Sequence, residues 1–182
     1  MCRSRCRRKN ICRWRRADRG MLSMDLVRFT EPRSGLSARC RLLPQAAPLS
    51  CEFLRDLAAR RASFEAMHAI WTGPEISVPM PSASLPEGMA WPPIPAENAT
   101  SYPGAGDIVL AYLAPGSTQG LPPGPFYDIG IFYGAGGRLL MPFGWIQANV
   151  CARILDEDLE KAVADCHAIR RNGACTITVE PA

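Results

Sequence analysis

Three groups of side chains in this sequence have the types and spacing to do chemistry. His68, Trp71 and Glu75 fall within eight positions: an imidazole near a carboxylate can act as a general base, and an indole beside them supplies an apolar wall for a ligand. The alternative is a strand-end histidine with a satisfied hydrogen bond and a core tryptophan. Glu97, Asn98 and Tyr102 lie in a proline-fixed stretch, and Tyr127 with Asp128 opens a later strand-like run. Polar groups held on a rigid loop orient a ligand in a pocket, or else they only hold the loop together. Phe143, Trp145, Gln147 and Asn149 make a third candidate lining, in which Trp145 could equally plug an interior.

Other chemistries lack their residues. Two histidines 99 positions apart, with no paired cysteines of zinc spacing, give no metal site, and His167 falls beside the polar face of the last helix. Gly134, Gly136 and Gly137 are not followed by the Lys and Ser or Thr of a phosphate-binding loop, and Ser117 lacks the flanking glycines of a nucleophile elbow. No cofactor is expected.

These groups need elements to position them. Alternation of apolar and polar residues predicts an opening hairpin from Leu26–Thr30 and Leu36–Leu43, then a strand over Ser63–Trp71. Pro48 begins a short helix ending near Arg61, with Phe53, Leu54 and Leu57 on one side. Prolines at 79, 81, 86, 92, 93, 95 and 103 predict one long loop from Pro79 to Gly106. Strands follow at Asp107–Leu113 and Tyr127–Gly134, a hairpin turn at Ala135–Gly137 leads into RLLMPFGW, and another strand covers Asn149–Ile154. Asp156 is expected to cap a second helix striped by Leu159, Val163, Cys166 and Ile169 and ended by Gly173, before a final strand ACTITVE. Seven or eight strands with two helices predict a mainly β closed barrel or a sandwich.

Composition sets the class. With 182 residues, 47% hydrophobic and 21% charged, the chain is long and apolar enough for one globular domain, and it has no uninterrupted bilayer-length apolar run. The net charge of +4 is local: residues 1–20 carry nine of the 21 Lys and Arg and one acid, which leaves 12 basic against 16 acidic residues. Residues 1–23 are therefore expected to be a basic disordered or artefactual leader, and 24–182 the domain. A mildly acidic body gives no reason to expect nucleic acid or a membrane as partner. Of the eight cysteines, Cys2, Cys6 and Cys12 sit in the leader, and those scattered through the domain (Cys40, Cys51, Cys151, Cys166 and Cys175) read as buried thiols of a cytoplasmic protein.

Four strings, HAIWTGPEISVPM (68–80), ENATSYPGAGDIVLAYL (97–113), GPFYDIGIFYG (124–134) and MPFGWIQANVCARI (141–154), resemble those of a bacterial domain-of-unknown-function family grouped with the cyclophilin-like folds. The resemblance spans about Met24 to Glu180 and implies a cyclophilin-like closed β-barrel with two flanking α-helices. It carries over no catalytic residue. True cyclophilins use a strand arginine to stabilise a twisted prolyl peptide, and no segment here resembles the motifs around it.

The expected function is a small-molecule or peptide-binding or accessory module, with its pocket between the proline-rich loop and the His68 strand, in a chain able to form a homo-oligomer. One rival is an enzyme acting on a small polar metabolite through His68 and Glu75 or Glu97; another is a prolyl isomerase. Catalysis through His68 requires that its ring meet a carboxylate at the floor of an open cleft.

Overall fold

The computed structural model describes residues 25–182; the leader expected at 1–23 lies outside them. Strand β1 (Leu26–Glu31) turns into β2 (Leu36–Leu42) as expected. The Glu31 carboxylate ties the turn by accepting the backbone N–H groups of Arg33 and Ser34 at 3.1 and 2.7 Å, and Gly35 takes the positive φ of 79° that a side chain would resist. Helix α1 (Pro48–Ala59) follows, with its proline in the first turn, where no N–H is needed.

The remaining strands are β3 (Ser63–His68), β4 (Glu75–Pro81), β5 (Ala99–Thr100), β6 (Asp107–Leu113), β7 (Phe126–Phe132), β8 (Leu140–Met141), β9 (Gly144–Trp145), β10 (Ala148–Ile154) and β11 (Cys175–Pro181). Helix α2 (Asp156–Asn172) precedes β11. Eight of the strands pair in the order β2, β1, β11, β3, β4, β7, β6, β10, and β10 pairs back to β2 through Ala152, Arg153 and Ile154. The sheet is therefore a closed antiparallel barrel, which removes the unpaired edges an open sheet would expose. The short β5 adds to the first half of β10, on the edge whose second half meets β2.

Alternation along each strand sends one set of side chains inward. Ile76, Val78 and Met80 from β4, Tyr127, Ile129 and Ile131 from β7, and Ile108 and Leu110 from β6 fill the interior with residues from both helices. Phe53 of α1 stacks on Tyr127 at the start of β7, with ring centroids 4.9 Å apart. His167 of α2 meets the ring of Tyr133, just past the end of β7, at 5.0 Å. The two helices thus close opposite ends of the barrel. No helix among the described residues is long and apolar enough to cross a membrane.

A second apolar cluster lies outside the barrel wall. Val109, Ala111, Phe132, Ala148 and Val150 point outward and are roofed by Leu139 and Ile146 from the segment between β7 and β10. Backbone bonds fasten that segment: Leu139 N–H to Ser101 O at 2.8 Å and Arg138 N–H to Thr72 O at 3.0 Å.

Several sequence expectations shift. Strand β3 stops at His68 rather than Trp71, and Trp71 is about half exposed at 52%, so it is not a core residue. The proline-rich loop begins after Pro81, because Pro79 and Pro81 belong to β4. Past Ser77 that strand pairs only with β7, so a missing N–H on its other side breaks no ladder bond. The segment RLLMPFGW forms only the two-residue pair β8 and β9, with Gly144 at φ 117° opening β9, instead of a full strand. Leu155, not Asp156, is the N-cap of α2; Asp156 stands first inside the helix, where its charge still meets the positive helix end.

Candidate functional site

The roof over the outer cluster does not reach β4. Between it and the Met67–Thr72 segment a cleft of about 270 Å³ opens onto the outer faces of β4, β7 and β6. Its walls are apolar: Val109, Ala111 and Leu113 from β6, Leu139, Phe143 and Ile146 from the roof. Its floor is not. Glu75 and Ser77 of β4 and Asp128 and Gly130 of β7 point into it, and the pairing of Ser77 with Gly130 sets the two carboxylates on either side of that rung. The alternation that buries Ile76, Val78, Ile129 and Ile131 obliges these four to face outward.

Each carboxylate is held differently. Both oxygens of Asp128 accept from the Ser77 hydroxyl at 3.0 Å, and one also accepts the Val78 N–H at 3.1 Å. Glu75, only 4% exposed, spends Oε2 on the Thr72 hydroxyl. Gly130 is required beneath it: a Cβ there would fall on Oε1 of Glu75 and lie 2.9 Å from both the Phe132 ring and Val109.

Burial pushes the Glu75 carboxyl well above the usual carboxylate range, repulsion from Asp128 pushes it further, and the Thr72 hydrogen bond only partly opposes them. Burial raises Asp128 as well, against the stabilising bonds from Ser77 and Val78. Two such groups on one floor titrate as a pair and hold a proton at neutral pH.

His68 does not join them. Although it borders the cleft, it is the partner of inward-facing Ile76 in the β3–β4 register, and its Nε2 is 2.7 Å from the Tyr133 hydroxyl. Burial, then the nearby Arg170 charge, lowers its pKa and favours the neutral ring. The condition for catalysis through His68 is thus not met, since its hydrogen-bond partner is a phenol and no carboxylate.

The other candidates are dispersed. Glu97 sits at the start of α1, accepting the N–H groups of Leu49 and Ser50 at 2.8 and 3.1 Å and the Ser50 hydroxyl at 2.7 Å. Asn149 points inward beside it, donating to Ser50 Oγ and Pro95 O and accepting the Glu97 N–H. Asn98 donates to Val150 O at 2.9 Å. Tyr127 is buried against Phe53, its hydroxyl 3.3 Å from Trp91 O. Tyr102 and Trp145 pack on each other in solvent at 5.3 Å, and Gln147 is exposed. Of the twelve residues, Glu75, Asp128, Trp71, His68 and Phe143 line the cleft.

Thr72, Ser77 and Gly130 were missed as partners of the carboxylates. The signal was present as polar or glycine residues at alternate positions in Glu75-Ile76-Ser77 and Asp128-Ile129-Gly130, but joining the two runs needs the register between strands about fifty residues apart.

A family model described as "Protein of unknown function (DUF3830)" matches residues 29–180. Among solved structures, the chain of "Structure of McbB in complex with tryptophan" is similar, with a TM-score of 0.52 and 13% identity over 85% of this chain and 44% of that one. At that identity the likeness shows the fold alone. This chain corresponds to less than half the length of that neighbour. No curated protein matches.

Proposed function

The chain belongs to the DUF3830 family of proteins of unknown function, and from that premise we propose that it is a binding module for a small molecule or a short peptide, with the outer-face cleft as its site. One observation carries this reading: an open apolar cleft whose floor alone is polar, with carboxylates oriented by Thr72 and Ser77. Apolar walls supply affinity by surface burial, and a few fixed polar atoms supply orientation. The exposed Ile70, Trp71 and Phe143 at the rim would close over an occupant or meet a second copy of the chain. The eight-stranded ring closed by two helices supports the cyclophilin-like grouping. A prolyl isomerase reading loses support, because no arginine lines the cleft. The five buried free thiols among the described residues support a cytoplasmic setting.

A second reading, proton transfer on the bound molecule, is favoured by the two carboxyls that titrate near neutrality on one floor. In it Asp128 takes the place of His68 as the partner of Glu75 in acid and base roles.

A thermal-shift screen against apolar metabolites and short peptides tests the binding reading, since a ligand of the folded state alone raises the melting temperature. A hit is expected to quench or blue-shift Trp71 fluorescence and to weaken in Trp71→Ala. Hits that are unaffected by that substitution and leave the Trp71 signal unchanged would place binding elsewhere and overturn the assignment.

A further inference from the structure

The floor of the cleft is unbalanced in charge, and that imbalance specifies what it takes. Resting on the binding reading above, we propose that the cleft selects ligands carrying one ammonium group on an apolar, ring-sized body, with Oε1 of Glu75 as the receiving atom and Asp128 as the second charge.

The two carboxylates are not equivalent. Asp128 has both oxygens engaged by Ser77 and one also by Val78, so it is oriented and occupied. Glu75 is engaged only at Oε2, by Thr72. Its Oε1 accepts no hydrogen bond among the described residues and lies over Gly130, on a side chain 4% exposed that lines the cleft. Oε1 is not one of the enclosed polar atoms without a partner, so it is reached from the cleft, and a donor arriving from outside the chain meets it there.

The donor has to be a cation with an apolar body. The titratable groups lining the cleft are Glu75 from β4, Asp128 from β7 and His68 from the end of β3; β6, β10 and the roof contribute only uncharged side chains. His68 is tied to Tyr133 and favoured neutral, so no cation of the protein balances the pair. An anionic ligand would be repelled. A divalent metal lacks ligands, since no group of three candidate donors exists among the described residues. An ammonium ion alone would gain nothing from the walls. An ammonium joined to a ring gains both an ion pair in low dielectric and burial against Ala111, Leu113 and Phe143. Because the pair holds a proton near neutrality, binding expels it, and affinity rises with pH until the amine itself loses its charge.

Isothermal titration of the full chain with three matched probes tests this: 2-phenylethylamine, 2-phenylethanol and 3-phenylpropanoate. The amine is expected to bind roughly tenfold or more tighter than the alcohol and the carboxylate not at all, about the preference one charge confers. Amine affinity is expected to fall roughly tenfold from about pH 8 to about pH 6, with a heat that depends on the buffer because protons are released. Glu75→Gln should erase the preference for amine over alcohol, and Asp128→Asn should reduce it. Equal or tighter binding of the alcohol overturns the ammonium proposal and leaves the binding reading standing. Loss of amine and alcohol binding together in Glu75→Gln, with the fold retained by circular dichroism, also overturns it. Silence from all three probes overturns it as well, and the binding reading falls with it only if the wider screen is silent too.

Discussion

At the scale of single residues, the informative fact about Glu75 and Asp128 is that folding takes both carboxyls out of water without giving them a cation. The folded chain therefore keeps protons that the unfolded chain has already released. Stability from this pair is complete below the ordinary carboxylate range and is lost as pH rises toward the raised values, about 7 for Asp128 and about 8 for Glu75. Glu75→Gln removes one of the two charges while keeping shape and a partner for Thr72. It is expected to stabilise the chain by about 2 kcal/mol near pH 8 and by almost nothing near pH 4, where both states are protonated. Denaturant unfolding of the two proteins across that range checks it. A variant less stable than the parent at both ends would show Glu75 to be structural, as the Thr72 bond alone would suggest. The chemistry of both residues was legible from sequence as carboxylates beside strand-like alternation. Their partnership was not, because they belong to strands that meet only through the register of β4 on β7.

At the scale of elements, helix α1 shows how a residue that reads as a binding group can be structural. Its N-cap position is Ala47, which offers no side-chain cap. The orphan N–H groups of Leu49 and Ser50 are met instead by Glu97, arriving from the proline-rich loop some fifty residues later. The carboxylate also lies at the positive end of the helix dipole, and Asn149 steadies it by accepting its backbone N–H. Glu97→Ala is expected to cost about 1 to 2 kcal/mol in chemical denaturation, with ligand binding in the outer cleft unchanged. Reduced affinity without reduced stability would return Glu97 to the binding site. The helix itself was legible, since Pro48 and the Phe53, Leu54, Leu57 spacing are local. Its cap was not, because no local pattern marks a carboxylate that folds in from another element.

At the scale of the whole molecule, closure decides the rest. The ring runs through eight strands and shuts where β10 meets β2, so the interior has no edge through which water or a reagent can enter. Cys40, Cys51, Cys151, Cys166 and Cys175 are all buried. Burial pushes the thiols of Cys51 and Cys166 up to about 11 and 12, far from the reactive thiolate. These five thiols are expected to react with an aromatic disulfide reagent only as fast as the chain unfolds, in step with loss of circular dichroism. Faster reaction at any one of them would show a local opening of the barrel. The amino-acid sequence by itself determined most of the barrel strands and both helices in order, the apolar interior and the unpaired chemistry of the cysteines, because alternation, helical spacing and turn residues act over a few positions. Tertiary structure alone decided that a cleft opens on the outside of the barrel wall, that Glu75 and Asp128 share its floor, and that the hydrogen bonds of His68 and Glu97 go elsewhere. Those facts follow from which strands pair, in what register, and which face the roof covers, and they are set by contacts between residues far apart in the chain.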